Sequence, residues 1–195
     1  MQFGVRFGGS ALFFADLMRG LHGGADGSSR QPWRVFGVDI DRESISGRVF
    51  ETPGIEVLIA DTFSERVAKA VRDMRAELPG PMFVVLDADH AKHSVQLELQ
   101  LVTRLTMPGD YVIVEDSNLN GHPAYPGWGP GPWEAVTEFL AMNRRAYQRD
   151  INTELKFGHT QAPCGFLRRL GEGGDSVFDP IREQPRRLEE EISVQ

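Results

Sequence analysis

The chain has 195 residues, a formal net charge of -7 and 41% apolar residues, which is enough for one buried core and the size of one domain. An acidic balance without Lys/Arg clusters excludes a nucleic-acid footprint, and acids gathered in one place suit a cation instead. Cys164 is the only cysteine, so neither an internal disulfide nor a thiolate metal cluster can form, which fits a reducing compartment such as the cytoplasm; no run approaches the roughly 20 apolar residues of a spanning helix.

Through about residue 117, short runs rich in Val, Ile and Phe alternate with longer segments of helical period. That alternation predicts a doubly wound, mostly parallel α/β sheet. Residues 1–5 read as the first strand. Gly8-Gly9-Ser10 then turns the chain into a helix whose Phe13, Phe14, Leu17, Met18 and Leu21 share one face, with Ser10 as its cap. A Gly/Ser-rich linker, 23–32, leads to a second strand at 34–40 and a short helix at 41–49. Residues 55–60 form the third strand. Thr62 or Ser64 caps the next helix, striped by Val67, Val71, Met74 and Leu78 and stopped by Pro79-Gly80-Pro81. The fourth strand is 82–86. The helix at 91–105 carries two apolar stripes, Val95, Leu99 and Val102 beside Leu97, Leu101 and Leu105, so it is expected to be covered on both sides. Residues 111–114 are the fifth strand.

Beyond Asp116 a Gly/Pro/aromatic loop, 118–133, precedes a helix with Val136, Phe139 and Leu140 on one side. Residues 154–160 and 165–170 are strand candidates for a terminal antiparallel hairpin. The domain therefore covers 1–170, and the charged, apolar-poor tail 171–195 is expected to be disordered.

In an open parallel sheet, ligands bind beyond the carboxyl ends of the strands, where strand order reverses. The second strand ends at Asp39, the third at Asp61, the fourth at Asp87 and the fifth at Glu115-Asp116, so the acids share one rim. A single Asp ending a strand is commonly a turn former or helix cap, and Asp41 or Asp61 alone says no more than that. Asp39 carries a second reading, because an acid at this place, downstream of a glycine turn, is where nucleotide folds bind ribose hydroxyls. Gly4, Gly8 and Gly9 form a loose glycine-rich fingerprint that does not separate a nicotinamide dinucleotide site from a methionine-adenosine one.

Asp87-Ala88-Asp89-His90 with Glu115-Asp116 gathers five ionisable side chains at adjacent strand ends, where like charges repel. A hard divalent cation resolves that repulsion, and Mg²⁺ held by Asp87, Glu115 and Asp116 is the expectation. An iron site of two imidazoles and a carboxylate would need His93, one turn past His90, to be paired with an acid, and nothing in the sequence pairs it. His90 reads as a helix-start residue that caps or packs, or, beside a metal, as a functional group. His22, His122 and His159 stand without partners in the sequence.

With these residues in view, the chain resembles the cephalosporin hydroxylase / rhamnosyl O-methyltransferase family of class I S-adenosylmethionine-dependent methyltransferases, over about residues 1–170. The likeness is carried by Phe7-Gly8-Gly9-Ser10-Ala11-Leu12-Phe13, Gly37-Val38-Asp39-Ile40-Asp41, Leu86-Asp87-Ala88-Asp89-His90, Val114-Glu115-Asp116-Ser117-Asn118, Gly129-Pro130-Gly131-Pro132 and Gly165-Phe166-Leu167. The resemblance implies that Asp87, Glu115 and Asp116 match Mg²⁺ ligands and His90 the general base; the sequence itself leaves His93 as the alternative base. Asp39 matches the acid that holds the donor's ribose, Gly4, Gly8 and Ser10 the loop around its methionine end, and Asp61 the adenine contact. Two positions depart from the pattern: the acid normally found two residues before the first glycine is Gln2, and Arg6 stands where related motifs often carry a smaller residue. Family members also carry helices before the first strand, so the resemblance implies a truncated start.

The implied activity is Mg²⁺-assisted transfer of a methyl group from S-adenosylmethionine to a hydroxyl of a small-molecule acceptor, a sugar, glycolipid or antibiotic-type natural product. Oxygenase chemistry would need a redox metal site or flavin that the sequence does not display. The loop 118–133, with Tyr125, Trp128 and Trp133, is either an acceptor wall or lid or plain packing. A competing reading is a non-catalytic remnant of the fold acting as a binding or assembly module. A nicotinamide-dependent oxidoreductase lacks any hydride-transfer constellation. Oligomeric state is open, and a homo-oligomer is compatible with the sequence.

Overall fold

The structure, a computed structural model, describes residues 1–23 and 32–171. Most of the 23–32 linker, and the tail from residue 172, lie outside the described residues. Seven strands form: β1 (Gln2–Phe3), β2 (Val35–Asp39), β3 (Ile55–Ile59), β4 (Phe83–Leu86), β5 (Tyr111–Val114), β6 (Tyr147–Arg149) and β7 (Phe166–Arg169). Between them run α1 (Gly9–His22), α2 (Gly47–Glu51), α3 (Glu65–Glu77), α4 (Lys92–Leu105), α5 (Pro132–Met142) and α6 (Ile151–Leu155). Among the described residues, no helix is long and apolar enough to cross a membrane.

The strands lie in one sheet in the order β3-β2-β1-β4-β5-β7-β6, with β1 to β5 parallel, β7 antiparallel to β5 and β6 antiparallel to β7. This is the doubly wound, mostly parallel architecture read from the alternating pattern. Phe3 of β1 pairs with Val38 on one side and with Leu86 on the other, so strand order reverses between β1 and β4. The rim beyond β1, β2, β4 and β5 is therefore the place where this topology opens a crevice.

Apolar residues fill both faces of the sheet. One core joins Phe3, Val84, Leu86 and Val112 to Val67 and Val71 of α3, Leu99 and Val102 of α4, and Val136 and Phe139 of α5. The other is smaller and joins Val5, Val35, Ile45 and Val49 to Ala11 and Ala15 of α1. The two stripes of α4 are both covered, as their spacing predicts: Val95, Leu99 and Val102 are buried, and so are Leu101 and Leu105.

Four local readings are corrected. Helix α1 packs through Ala11 and Ala15, whose small side chains let it lie close to the sheet, with Leu12 and, of the expected stripe, Phe14 partly buried against the same core, while Phe13, Leu17 and Leu21 face outward. Its N-cap is Gly8 in a left-handed conformation, and Ser10 gives its hydroxyl to Gln2 instead of capping. The short helix expected at 41–49 is α2, later in the chain. Its place is taken by a turn in which Asp41 accepts the Glu43 amide at 3.0 Å. Finally, the first strand of the terminal hairpin is β6, not 154–160. Asp150 accepts the Thr153 amide at 3.2 Å and so starts α6 across the expected strand, and the left-handed Gly158 turns the chain after it.

Candidate functional site

A cleft of about 1020 Å³ opens along the rim, lined by residues 4–10, by Asp39 and Asp41, by residues 60–63 and 87–90, and by Glu98, Glu115 and Asp116. Gly4, Gly8, Ser10, Asp39, Asp61, Asp87, His90, Glu115 and Asp116 all border this one space, whereas His93, the alternative base, does not line it. A second cavity, of about 830 Å³, lies where the strands begin and is lined mainly by apolar groups such as Phe14, Leu17, Trp33 and Phe83. The chemistry-bearing side chains gather in the first.

The loop from Gly4 to Gly8 is built by three devices. Gly4 and Gly8 have φ of 81° and 86°, and Arg6 between them has φ of 48°. Left-handed backbone of this kind is easy for glycine and costly for most other residues. A Cβ on Gly4 would stand 2.1 Å from the carbonyl oxygen of Asp87, so this loop and the end of β4 touch through bare backbone. Asp39 then holds the loop from β2: its Oδ2 accepts the amides of Val5 and Arg6, each at 2.8 Å, and its Oδ1 accepts the Asp41 amide at 2.8 Å. Desolvation works against the charge, but the amides of Arg6, Asp41, Val5 and Ile40 outweigh it and hold the Asp39 carboxyl below its ordinary value.

Gln2, buried at the foot of the loop, donates its amide to the Gly4 carbonyl and to the Ser10 hydroxyl, both at 2.7 Å, and Ser10 donates back to Gln2 Oε1 at 3.0 Å. A carboxylate has no proton to give the Gly4 carbonyl, so the amide at position 2 is fitted to this loop.

At the other side of the cleft, Asp87, His90 and Asp116 come together: one carboxylate oxygen of each acid and a ring nitrogen of His90 all lie within 4.8 Å of one another. His90 Nε2 is 3.2 Å from Asp116 Oδ2. Asp116 reaches this point from a backbone with φ of 52°, a strained conformation at the end of β5. Glu115 borders the same cleft but stands outside this tight group. Desolvation pushes the Glu115 carboxyl up to about 7, and the Asp87 and Asp116 charges add to the rise. Desolvation also raises Asp87, as does Asp116, against the pull of His90 and Arg6. Asp89 points elsewhere: it accepts the Ser94 hydroxyl and the Ala91 amide and so organises the start of α4. Asp61 accepts the Phe63 amide at 3.4 Å and otherwise faces solvent on the cleft wall.

Two features escaped the sequence reading. Glu98, on α4, is only 1% exposed; it accepts the Thr62 hydroxyl at 2.7 Å, and its second oxygen is buried without a partner among the described residues. Desolvation pushes this carboxyl up to about 7, with Asp89, Asp61 and Asp87 adding to the rise against the Thr62 hydrogen bond. The signal was present, since Glu98 stands in the row of Val95 and Val102 on a helix covered on both sides.

The second feature is in the loop 118–133. Glu134 of α5 accepts Asn120 Nδ2 at 2.8 Å and the Gly131 amide at 2.8 Å, and lies 3.3 Å from His122 Nε2. Despite opposing desolvation, these donors hold its carboxyl down to about 2. Trp133 stacks on His122 with ring centroids 4.3 Å apart, so Trp133 and His122 are packing, while Tyr125 and Trp128 stay exposed. The loop is pinned to α4 by Lys92, whose amide donates to the Pro130 carbonyl at 3.0 Å.

A switched α/β sheet with a glycine loop facing a carboxylate and histidine cluster defines a nucleotide-type binding fold with a cation-ready rim. Solved structures share the fold. A CmcI structure with Mg and SAM has a TM-score of 0.61 at 22% identity, covering 87% of this chain and 63% of that one. The MycE methyltransferase from the mycinamycin biosynthetic pathway, in complex with Mg, SAH and mycinamycin VI, has a TM-score of 0.54 at 14% identity, covering 92% and 46%. The family Rhamnosyl O-methyltransferase/CmcI matches residues 1–170, and the chain belongs to it. Rhamnosyl O-methyltransferases of Mycobacterium tuberculosis and Mycobacterium leprae are 38% and 40% identical over 169 residues, which is 87% of this chain. The chain spans 66% of the first of these relatives and 70% of the second.

Proposed function

We propose that this chain carries the donor and metal sites of a Mg²⁺-assisted, S-adenosylmethionine-dependent O-methyltransferase whose acceptor is a sugar hydroxyl, rhamnose being the first to test. The observation that carries the reading is the meeting of Asp87, His90 and Asp116 within 4.8 Å, across the cleft from the glycine loop, in a chain of this family.

The donor set fits the cation. Two aspartates with Glu115 beside them supply hard oxygens, and the raised carboxyls of Asp87 and Glu115 mark a place where positive charge is favourable. Asp87, Glu115 and Asp116 are assigned as the holding residues. When bound, Mg²⁺ lowers the pKa of the acceptor hydroxyl, and the donor supplies an activated methyl group. His90 takes the hydroxyl proton on the ring nitrogen turned away from Asp116, and Asp116, whose Oδ2 lies 3.2 Å from Nε2, stabilises the resulting imidazolium. Asp39, which holds the glycine loop, is assigned to the donor's ribose, Gly4, Gly8 and Ser10 to its methionine end, and Asp61 to its adenine. The remaining work is orientation and exclusion of water, since methyl transfer from a sulfonium needs no protein nucleophile. The reading includes action as a soluble cytoplasmic enzyme.

The test is incubation of the purified chain with S-adenosylmethionine and rhamnosyl acceptors, with and without Mg²⁺, followed by mass spectrometry of the acceptor. Gain of one methyl group that disappears on chelation is the expected result. Tight donor binding with no methylation of any hydroxylated acceptor would contradict the reading.

A further inference from the structure

Arg6 is the one Arg or Lys among the described residues that line the cleft, whose lining also includes eight acids. Elsewhere Arg34, Arg72, Arg75, Arg149 and Arg168 are each paired with a carboxylate. The Arg6 guanidinium takes none among the described residues; it lies 5.2 Å from the Phe7 ring centroid, and its charge is felt at Asp87. A cation beside so many acids that pairs with none of them leaves its guanidinium open to a ligand in the cleft.

The backbone points the same way. Arg6 sits at φ 48° with its amide on Asp39, between two left-handed glycines. Glycine or asparagine would adopt that conformation more easily, so a long cationic side chain is kept at a conformational cost. The loop leads directly into α1, a helix of 14 residues with no acid in its first turn, whose N-terminus carries partial positive charge.

The amino-acid end of S-adenosylmethionine carries an ammonium and a carboxylate, and its sulfonium is cationic. Its positive groups have many acids to choose from in this cleft, but its carboxylate has only one cationic side chain of fixed charge. We propose that Arg6 binds the α-carboxylate of the methyl donor, together with the N-terminus of α1; this rests on the donor reading above. The guanidinium fork matches a carboxylate in two parallel hydrogen bonds, which a lysine cannot reproduce.

Calorimetric titration with two probes tests this. S-adenosylhomocysteine carries the carboxylate, and 5′-methylthioadenosine lacks the whole amino-acid end. Arg6→Gln leaves the backbone amide on Asp39 in place and removes the guanidinium with its charge. The expected result is about a tenfold loss of S-adenosylhomocysteine affinity in Arg6→Gln, a smaller loss in Arg6→Lys, and 5′-methylthioadenosine affinity unchanged within about twofold. Unaltered 5′-methylthioadenosine binding also shows that the variant is folded. Equal losses for both probes, or no loss for either, would overturn the Arg6 assignment while leaving the donor reading standing. Failure of the unmodified chain to bind either probe would overturn both.

Discussion

Asp39 and Val5 are joined by a 2.8 Å hydrogen bond from the Val5 amide to Oδ2, so the acid that ends β2 also shapes the loop that follows β1. With the Arg6 and Asp41 amides, the same carboxylate satisfies three backbone donors. Asp39→Ala is expected to lower stability by about 2 kcal/mol, because charge-assisted hydrogen bonds are lost at a half-exposed site. The same variant should weaken S-adenosylhomocysteine binding by about tenfold or more, since both the loop's anchor and the proposed ribose contact are lost. Denaturant unfolding and calorimetry check the two effects. An unchanged unfolding midpoint would show that the loop does not depend on Asp39.

Gly4 separates the glycine loop from the acid rim by the thickness of a backbone. A methyl group there would meet the Asp87 carbonyl oxygen at 2.1 Å and its carbon at 2.6 Å, at a φ of 81°. Neither neighbour is a flexible side chain, so Gly4→Ala must push β1 and β4 apart. The expected cost is about 3 kcal/mol or more, from overpacking together with left-handed strain. Thermal unfolding measures it, and a melting temperature within a degree or two of the unmodified chain would contradict the close approach.

Glu98 makes stability depend on pH. Its carboxyl is raised from 4.5 to about 7, so the native state keeps a proton that the unfolded chain has released. The group's contribution is most favourable below pH 4.5 and is lost as pH rises to 7, a change on the order of 3 kcal/mol. Asp61, Asp87 and Asp89 face it and push in the same direction. Glu98→Gln should therefore flatten this part of the profile and melt above the unmodified chain at pH 8. Parallel melting curves for the two proteins from pH 5 to 8 would show that Glu98 is ionised in the folded state.

The strands from β1 to β5 and helices α3 and α4 are legible in the sequence because each buries a regular set of apolar side chains, in runs for the strands and at 3.6-residue period for the helices. Strand β6 was not. Tyr147, Gln148 and Arg149 are only three residues at the sheet edge, with one buried side chain, and leave no periodic trace. The outward face of α1 misled for the opposite reason: Phe13, Leu17 and Leu21 have the spacing of a core stripe, yet Ala11 and Ala15, with Leu12 and Phe14 beside them, make the contact. At the site, the acids could be placed because topology brings strand ends together whatever the loops do. What could not be read was pairing in space. The Glu98 and Thr62 bond joins residues 36 apart, and the Gln2 amide on the Gly4 carbonyl depends on a backbone turn that no spacing encodes.

The claim that the acid rim is a cation site rests on Asp87 and Asp116 acting together. Calorimetric titration of Mg²⁺ into the chain saturated with S-adenosylhomocysteine measures it most directly, with Asp87→Ala and Asp116→Ala alongside. A saturable Mg²⁺ heat that vanishes in both variants, with S-adenosylhomocysteine affinity kept within about threefold, is the result predicted for ligands that hold the metal and not the donor. A Mg²⁺ heat that persists in both variants would contradict it.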